Sequence, residues 1–146
     1  MINHLLTPGR LLCNSRRRDA RTGAVAVEFA ITAPIFLLFL LAAFEFGWLN
    51  VMRHTADNAA YEAARTAIVP GATSGEALAK ATSILNVVGA RGAKINVTPN
   101  NITNSTTEVT VAIDVPMNSN GLITPRFTSK TTLHSESTLK TERPAN

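Results

Sequence analysis

The sequence predicts an α+β protein: a long N-terminal transmembrane helix continuing as an amphipathic helix, then a second short helix and a small antiparallel β-sheet. Three observations carry that prediction. Residues 24–48, AVAVEFAITAPIFLLFLLAAFEFGW, form an apolar stretch interrupted only by Glu28, Thr32, Pro34, Glu45 and Gly47. From Leu49 to Ile68 small or apolar residues recur every three or four positions, the period of one helix face. Within residues 93–141 the pattern turns to alternation, cleanest from Glu108 to Val115, which is the period of a strand.

The apolar stretch sets the architecture. As a helix it would be about 37 Å long, enough for a hydrocarbon core of about 30 Å. A buried helix of a globular protein would need equally apolar partners to cover Ile35 to Phe44, and the chain offers none. Six of its eight aromatic residues lie between Phe29 and Trp48, and the ninety-eight residues that follow hold only Tyr61 and Phe127. Phe46 and Trp48 fall where an interfacial aromatic belt would lie. Pro34 removes a helical hydrogen bond to the carbonyl of Ala30 and is expected to bend the helix. Glu28 has two readings: it stays hydrated near the interface, or it faces a positive partner within the membrane, where a carboxylate costs about 2.5–3.5 kcal/mol.

Charge orients the span. Residues 1–23 hold Arg10, Arg16, Arg17, Arg18 and Arg21 against Asp19 alone, whereas nine Lys/Arg and nine Asp/Glu balance from Ala24 onward. Basic residues before the span predict a cytoplasmic N-terminus and a single pass, leaving everything after Trp48 outside the cytoplasm. The net charge of +4 therefore belongs to a leader, and no basic groove for nucleic acid is expected. A secretory signal peptide is the competing reading. Against it, the apolar run exceeds the usual length and Leu41 to Glu45 lacks an A-x-A cleavage site. The single Cys13 excludes a disulfide framework and a Cys-based metal site.

Beyond the span, Leu49, Met52, Ala56, Ala59, Ala63 and Ala67 mark a narrow stripe, and Asn50, Arg53, Asp57, Asn58, Glu62 and Arg65 the opposite face. Glu62 and Arg65 are spaced for an i,i+3 pair. Pro70-Gly71 ends this continuation, residues 49–69. Thr73-Ser74-Gly75-Glu76 fits a capping box opening a helix over 73–89. Its apolar face is Ala77, Leu78, Ala81, Ile84, Leu85 and Val88, and Gly89 fits its C-terminal cap. In the β region Ile95 and Val97 suggest a short strand; Val109, Val111, Ile113 and Val115 share one face of the next, which Pro116 ends. Asn118 to Gly121 suggests a turn, and Phe127, Leu133 and Leu139 share the parity of a long last strand. Fifteen threonines follow residue 48, suited to a solvated sheet face.

No catalytic constellation is evident, so an enzyme is not expected. His54 and His134 lack a second His or a Cys at ligand spacing, and no metal is expected. No P-loop, G-x-S-x-G or dinucleotide fingerprint occurs, and no cofactor is expected. His54 near Asp57 reads as a solvated pair on a helix face.

The start of the span is more distinctive. A basic leader ends in Gly23, Ala24 follows, and Glu28 and Phe29 lead a hydrophobic helix. Read as Gly23-Ala-Val-Ala-Val-Glu28-Phe29, it resembles the prepilin processing motif of type IV pilin-like proteins. The longer stretch, with its Ala-Pro and repeated Glu-Phe pair, resembles the TadE-like pseudopilins of the tight-adherence (Tad/Flp) pilus system. AAYEAARTA at residues 59–67 fits that family's helix continuation, so the resemblance covers roughly residues 15–70.

The resemblance implies that a membrane-embedded prepilin peptidase cuts between Gly23 and Ala24 on the cytoplasmic face of the bacterial inner membrane. A glycine before the scissile bond lets the backbone extend without a Cβ clash. The resemblance further implies that Glu28, with Phe29 in the recognition motif, pairs with the N-terminal amine of a neighbouring subunit. The partners expected are membrane lipid, the peptidase, other pilin or pseudopilin subunits and Tad-type assembly machinery. The function expected is that of a minor pseudopilin or pilus-biogenesis subunit acting in pilus assembly, adherence and secretion. The alternative is an uncleaved single-pass anchor displaying a small extracytoplasmic adhesin or scaffold module.

Overall fold

The computed structural model describes residues 15–121 and 127–141, with side chains from Thr22 onward. Arg10 and Cys13, and the side chains of Arg16, Arg17, Arg18 and Arg21, lie outside the described residues. The chain divides into two compact units at Leu41–Ala42.

The first unit is helical. Helix α1 runs from Ser15 to Ala67 without interruption. It therefore begins before Ala24, where the sequence pattern placed the start of the span. Arg and Ala are good helix formers, and a glycine such as Gly23 lowers a helix by only about 1 kcal/mol. Pro34 sits within the helix, and just before it Thr32 donates its hydroxyl to the Glu28 carbonyl at 2.9 Å, a back-bond typical of helix interiors. Among the described residues this is the one helix long and apolar enough to cross a membrane, and none of its apolar window is buried.

The second unit carries the core. It comprises the last turns of α1, helix α2 (Ser74–Val87), strands β1 (Lys94–Thr98) and β2 (Glu108–Pro116), a 3-10 turn (Met117–Ser119) and strand β3 (Thr132–Lys140). The stripe on α1 is buried as expected at Met52, Ala56, Ala59, Ala63 and Ala67, and is widened by Ala60 and Ala64. Methyl-sized side chains let backbones approach closely, and the widened stripe joins the buried residues of α2 and the sheet in one core cluster. The Glu62–Arg65 pair forms at 4.0 Å on the solvent side, where such pairs contribute little.

Helix α2 has the expected ends. The Thr73 hydroxyl accepts from the Glu76 amide at 3.3 Å, and Glu76 Oε2 accepts from the Thr73 amide at 3.0 Å, which completes a capping box. Gly89 adopts φ 66°; its amide donates to Asn86 O and that of Ala90 to Leu85 O, the paired bonds of a Schellman cap. Ala77, Ala81 and Leu85 are buried, but Leu78 is not. One column at i,i+4 spacing faces inward, and Leu78 lies about 100° around the helix from it.

The sheet has the order β1-β2-β3, antiparallel throughout. Val109, Val111, Ile113 and Val115 face inward on the central strand, opposite Val97 and Ile95 on one side and Leu133 on the other. Two expectations are corrected. The turn at 118–121 is a 3-10 turn that begins at Met117 and buries it. Phe127 does not extend the last strand: it stacks on Phe46, centroids 6.3 Å apart, and the chain turns at Thr128–Thr131 before β3 begins.

On the solvent face Asp114 stands opposite His134. His134 Nδ1 lies 2.7 Å from Asp114 Oδ1, and Nε2 3.7 Å from Glu136 Oε2. The hydrogen bond to the Asp114 carboxylate holds the His134 pKa above its ordinary 6.5, against a lowering by desolvation. Because the folded value is the higher one, the ring's contribution to stability is complete below pH 6.5 and fades as pH rises through the folded value. An NMR titration of His134 should therefore give a midpoint above 6.5, and Asp114→Asn should bring it back down.

Candidate functional site

Gly23 and Ala24, the expected processing pair, lie within α1 and are exposed. A Cβ placed on Gly23 would meet nothing within 4 Å. The chain's own packing thus makes no demand for glycine there. Glu28 and Phe29 follow one turn later, both exposed, and the Glu28 carboxylate has no hydrogen-bond partner among the described residues. Helical spacing puts the Ala24 amine, were it free, one turn from that carboxylate.

A second cluster forms at the other end of the apolar stretch, where α1 enters the folded unit. Glu45 Oε1 accepts three hydrogen bonds, from the Phe127 amide at 2.9 Å, the Thr128 amide at 2.6 Å and the Thr128 hydroxyl at 2.7 Å. A carboxylate accepting main-chain and hydroxyl donors together makes charge-assisted bonds stronger than neutral ones. The next residue, Phe46, receives the Phe127 ring. Half a turn on, the Trp48 indole donates to the main-chain oxygen of Asn120 at 2.6 Å.

Asn120 is buried, 6% exposed, and its side chain is fully used. Nδ2 donates to the carbonyls of Arg91 and Pro116, both at 2.7 Å, and Oδ1 accepts from the Arg91 amide at 2.6 Å. One amide therefore joins the α2–β1 connection, the end of β2 and, through its own backbone, the helix. The 3-10 turn places it, since the Asn120 amide closes onto Met117 O.

Pattern reading singled out Glu28 and missed Glu45 and Asn120. The repeated Glu-Phe pair was visible, but nothing local distinguishes a carboxylate satisfied by a distant loop from one that is not. Asn120 reads as an ordinary turn residue because its partners are far away in sequence. The structure also redirects Asp57, whose Oδ1 accepts from Ser135 Oγ at 2.7 Å, tying α1 to β3. Its expected partner, His54, instead lines a shallow hollow with Ile84, Val87 and Val88. Among the described residues no group of His, Cys, Asp or Glu side chains is arranged to hold a metal ion.

Residues 23–65 match the family model of TadE-like proteins. That match starts at Gly23, spans the apolar stretch and most of the alanine stripe, and leaves α2 and the sheet outside. Comparison with curated proteins and with solved structures gives no match.

The Asn120 junction yields a test with two separable readouts. Asn120→Ala leaves the Arg91 amide and two carbonyls unpaired, a loss of about 1–3 kcal/mol. The acceptor for Trp48 is main-chain and survives. Chemical denaturation in detergent should show lower stability, while Trp48 emission of the folded state stays unchanged.

Proposed function

From its TadE-like N-terminal segment, we propose that this chain is a minor pseudopilin or pilus-biogenesis subunit of a Tad/Flp-type system. On this reading it enters the inner membrane as a prepilin, is cut between Gly23 and Ala24 on the cytoplasmic face, and acts in pilus assembly, adherence and secretion through its apolar helix. The family match that opens at Gly23 is the observation that carries it.

The residues support the chemistry proposed. A Cβ at Gly23 would meet nothing within 4 Å, so the position is open to a peptidase that takes the scissile bond in extended form. Glycine also makes local unwinding of α1 easier by about 1 kcal/mol relative to alanine. Cleavage would remove five arginines, leaving a body with nine basic and nine acidic residues and a new ammonium at Ala24. Glu28 is the acid nearest to that amine in sequence. In lipid an unpaired carboxylate costs about 2.5–3.5 kcal/mol, so pairing with the amine of an adjoining subunit favours docking. Glu28 is thus an assembly residue, and no catalytic role is assigned to any residue.

N-terminal sequencing of membrane-fraction protein from cells with a prepilin peptidase should begin at Ala24. A mature chain that retains Arg16–Arg18 would instead support an uncleaved single-pass anchor displaying its folded unit. Glu28→Ala should leave cleavage intact while pilus output falls, and normal piliation in that variant would remove the charge-pairing role.

A further inference from the structure

The aromatic and acidic cluster at the end of the apolar stretch has a use that a simple stem-and-head protein would not need. Phe127 is the sole aromatic residue after Tyr61. A large apolar side chain in a domain this poor in them would ordinarily be in the core. Here the buried apolar side chains are alanine, valine, isoleucine, leucine and methionine, while Phe127 remains 52% exposed on the surface. It is held there deliberately by structure. Glu45 fixes the backbone at Phe127 and Thr128 through three bonds, and Phe46 stacks on the ring.

The neighbours share its character. Phe44 and Phe46, near the end of the stretch long enough to cross a bilayer, are 54% and 53% exposed, and the Phe127 ring stacks on Phe46. Trp48 follows, half-buried, with its N–H already satisfied. Lys130, exposed three residues after Phe127, supplies a charge suited to anionic headgroups. A carboxylate at that level must be hydrogen-bonded to be tolerated, and Glu45 is.

We propose that the Phe127–Lys130 turn is a second membrane contact, seated with Phe46 in the headgroup–acyl boundary of the same bilayer that α1 crosses. The occupant of this surface is lipid, because the patch is continuous with the apolar stretch and its aromatic, amide-satisfied composition is that of an interfacial belt. The folded unit is then bound to the membrane at two points. This inference rests on the single-pass reading above and adds to it a contact made by the C-terminal half of the chain.

The test uses the full chain carrying Cys13→Ser, in vesicles of phosphatidylethanolamine and phosphatidylglycerol. Nitroxide labels are placed singly at Ser129→Cys, at Gly47→Cys beside the aromatic cluster, and at Asn104→Cys in the β1–β2 loop. Collision with lipid-soluble oxygen and with an aqueous nickel chelate reports depth. Ser129 is expected to follow Gly47, with several-fold less nickel collision than Asn104 and high oxygen collision. Adding Phe127→Ser should return Ser129 to the Asn104 value and leave Gly47 unchanged. Ser129 as water-exposed as Asn104, with Gly47 still shielded, would overturn the second contact and leave the anchor intact. An aqueous Gly47 would overturn both together. Shielding of Ser129 from nickel and oxygen alike, growing with protein-to-lipid ratio, would mean that another protein copy covers the patch, and would also overturn the proposal.

Discussion

The constraint on which the structure depends is that the apolar window of α1 is not buried by any of the described residues. It belongs to a stretch that holds six of the chain's eight aromatic residues. The folded unit must therefore close its core with what is left. It does so with small side chains: seven residues of α1, six of them alanine, are at most 2% exposed and share one core cluster with the valines of β2. A core of methyl groups is intolerant of enlargement, because an added methylene has no void to enter. The alanine stripe is thus a packing requirement set indirectly by the exposed apolar stretch.

Small side chains bury little area, and polar joints carry a correspondingly larger part of the task of fixing one arrangement. Asn120 joins three segments with every side-chain group paired, and Asp57 pins α1 to β3 through Ser135. Such bonds contribute modestly to net stability, yet leaving one partner buried and unpaired is costly. They act by making alternative packings unfavourable more than by strengthening the native one. The capping box and Schellman cap of α2 do the same for its length, since slippage by one residue would lose both ends at once.

What the sequence disclosed followed from local physics. The apolar stretch, the alanine period, both ends of α2 and the alternation of β2 depend on residues within a turn or two of each other. Phe127 was misplaced because parity alone assigned it to the last strand; its position is decided by a ring and a carboxylate on a helix far away in the chain. Helix α1 also extends ahead of the apolar stretch, since a break in hydrophobicity at Gly23 does not end a run of good helix formers. Glu45 and Asn120 share the cause of the Phe127 error: their partners lie at long sequence separation, and no spacing rule reaches them. Leu78 differs, because a hydrophobic residue beside an inward column passes a periodicity test without facing the core.

The two Glu-Phe pairs show how far identical local chemistry diverges when its surroundings differ. At Glu45 three donors from the same chain converge on one carboxylate oxygen, and the following phenylalanine is stacked; that acid is satisfied and has little left to offer a partner. At Glu28 the carboxylate stands on an exposed helix face, beside a phenylalanine 70% exposed, without a hydrogen-bond partner among the described residues. If both positions lie within or against lipid, only Glu28 retains a free-energy demand that another molecule can meet. The asymmetry gives the proposed assembly role a physical basis independent of the motif: one acid of the repeated pair is spent on folding, and the carboxylate of the other has no hydrogen-bond partner among the described residues.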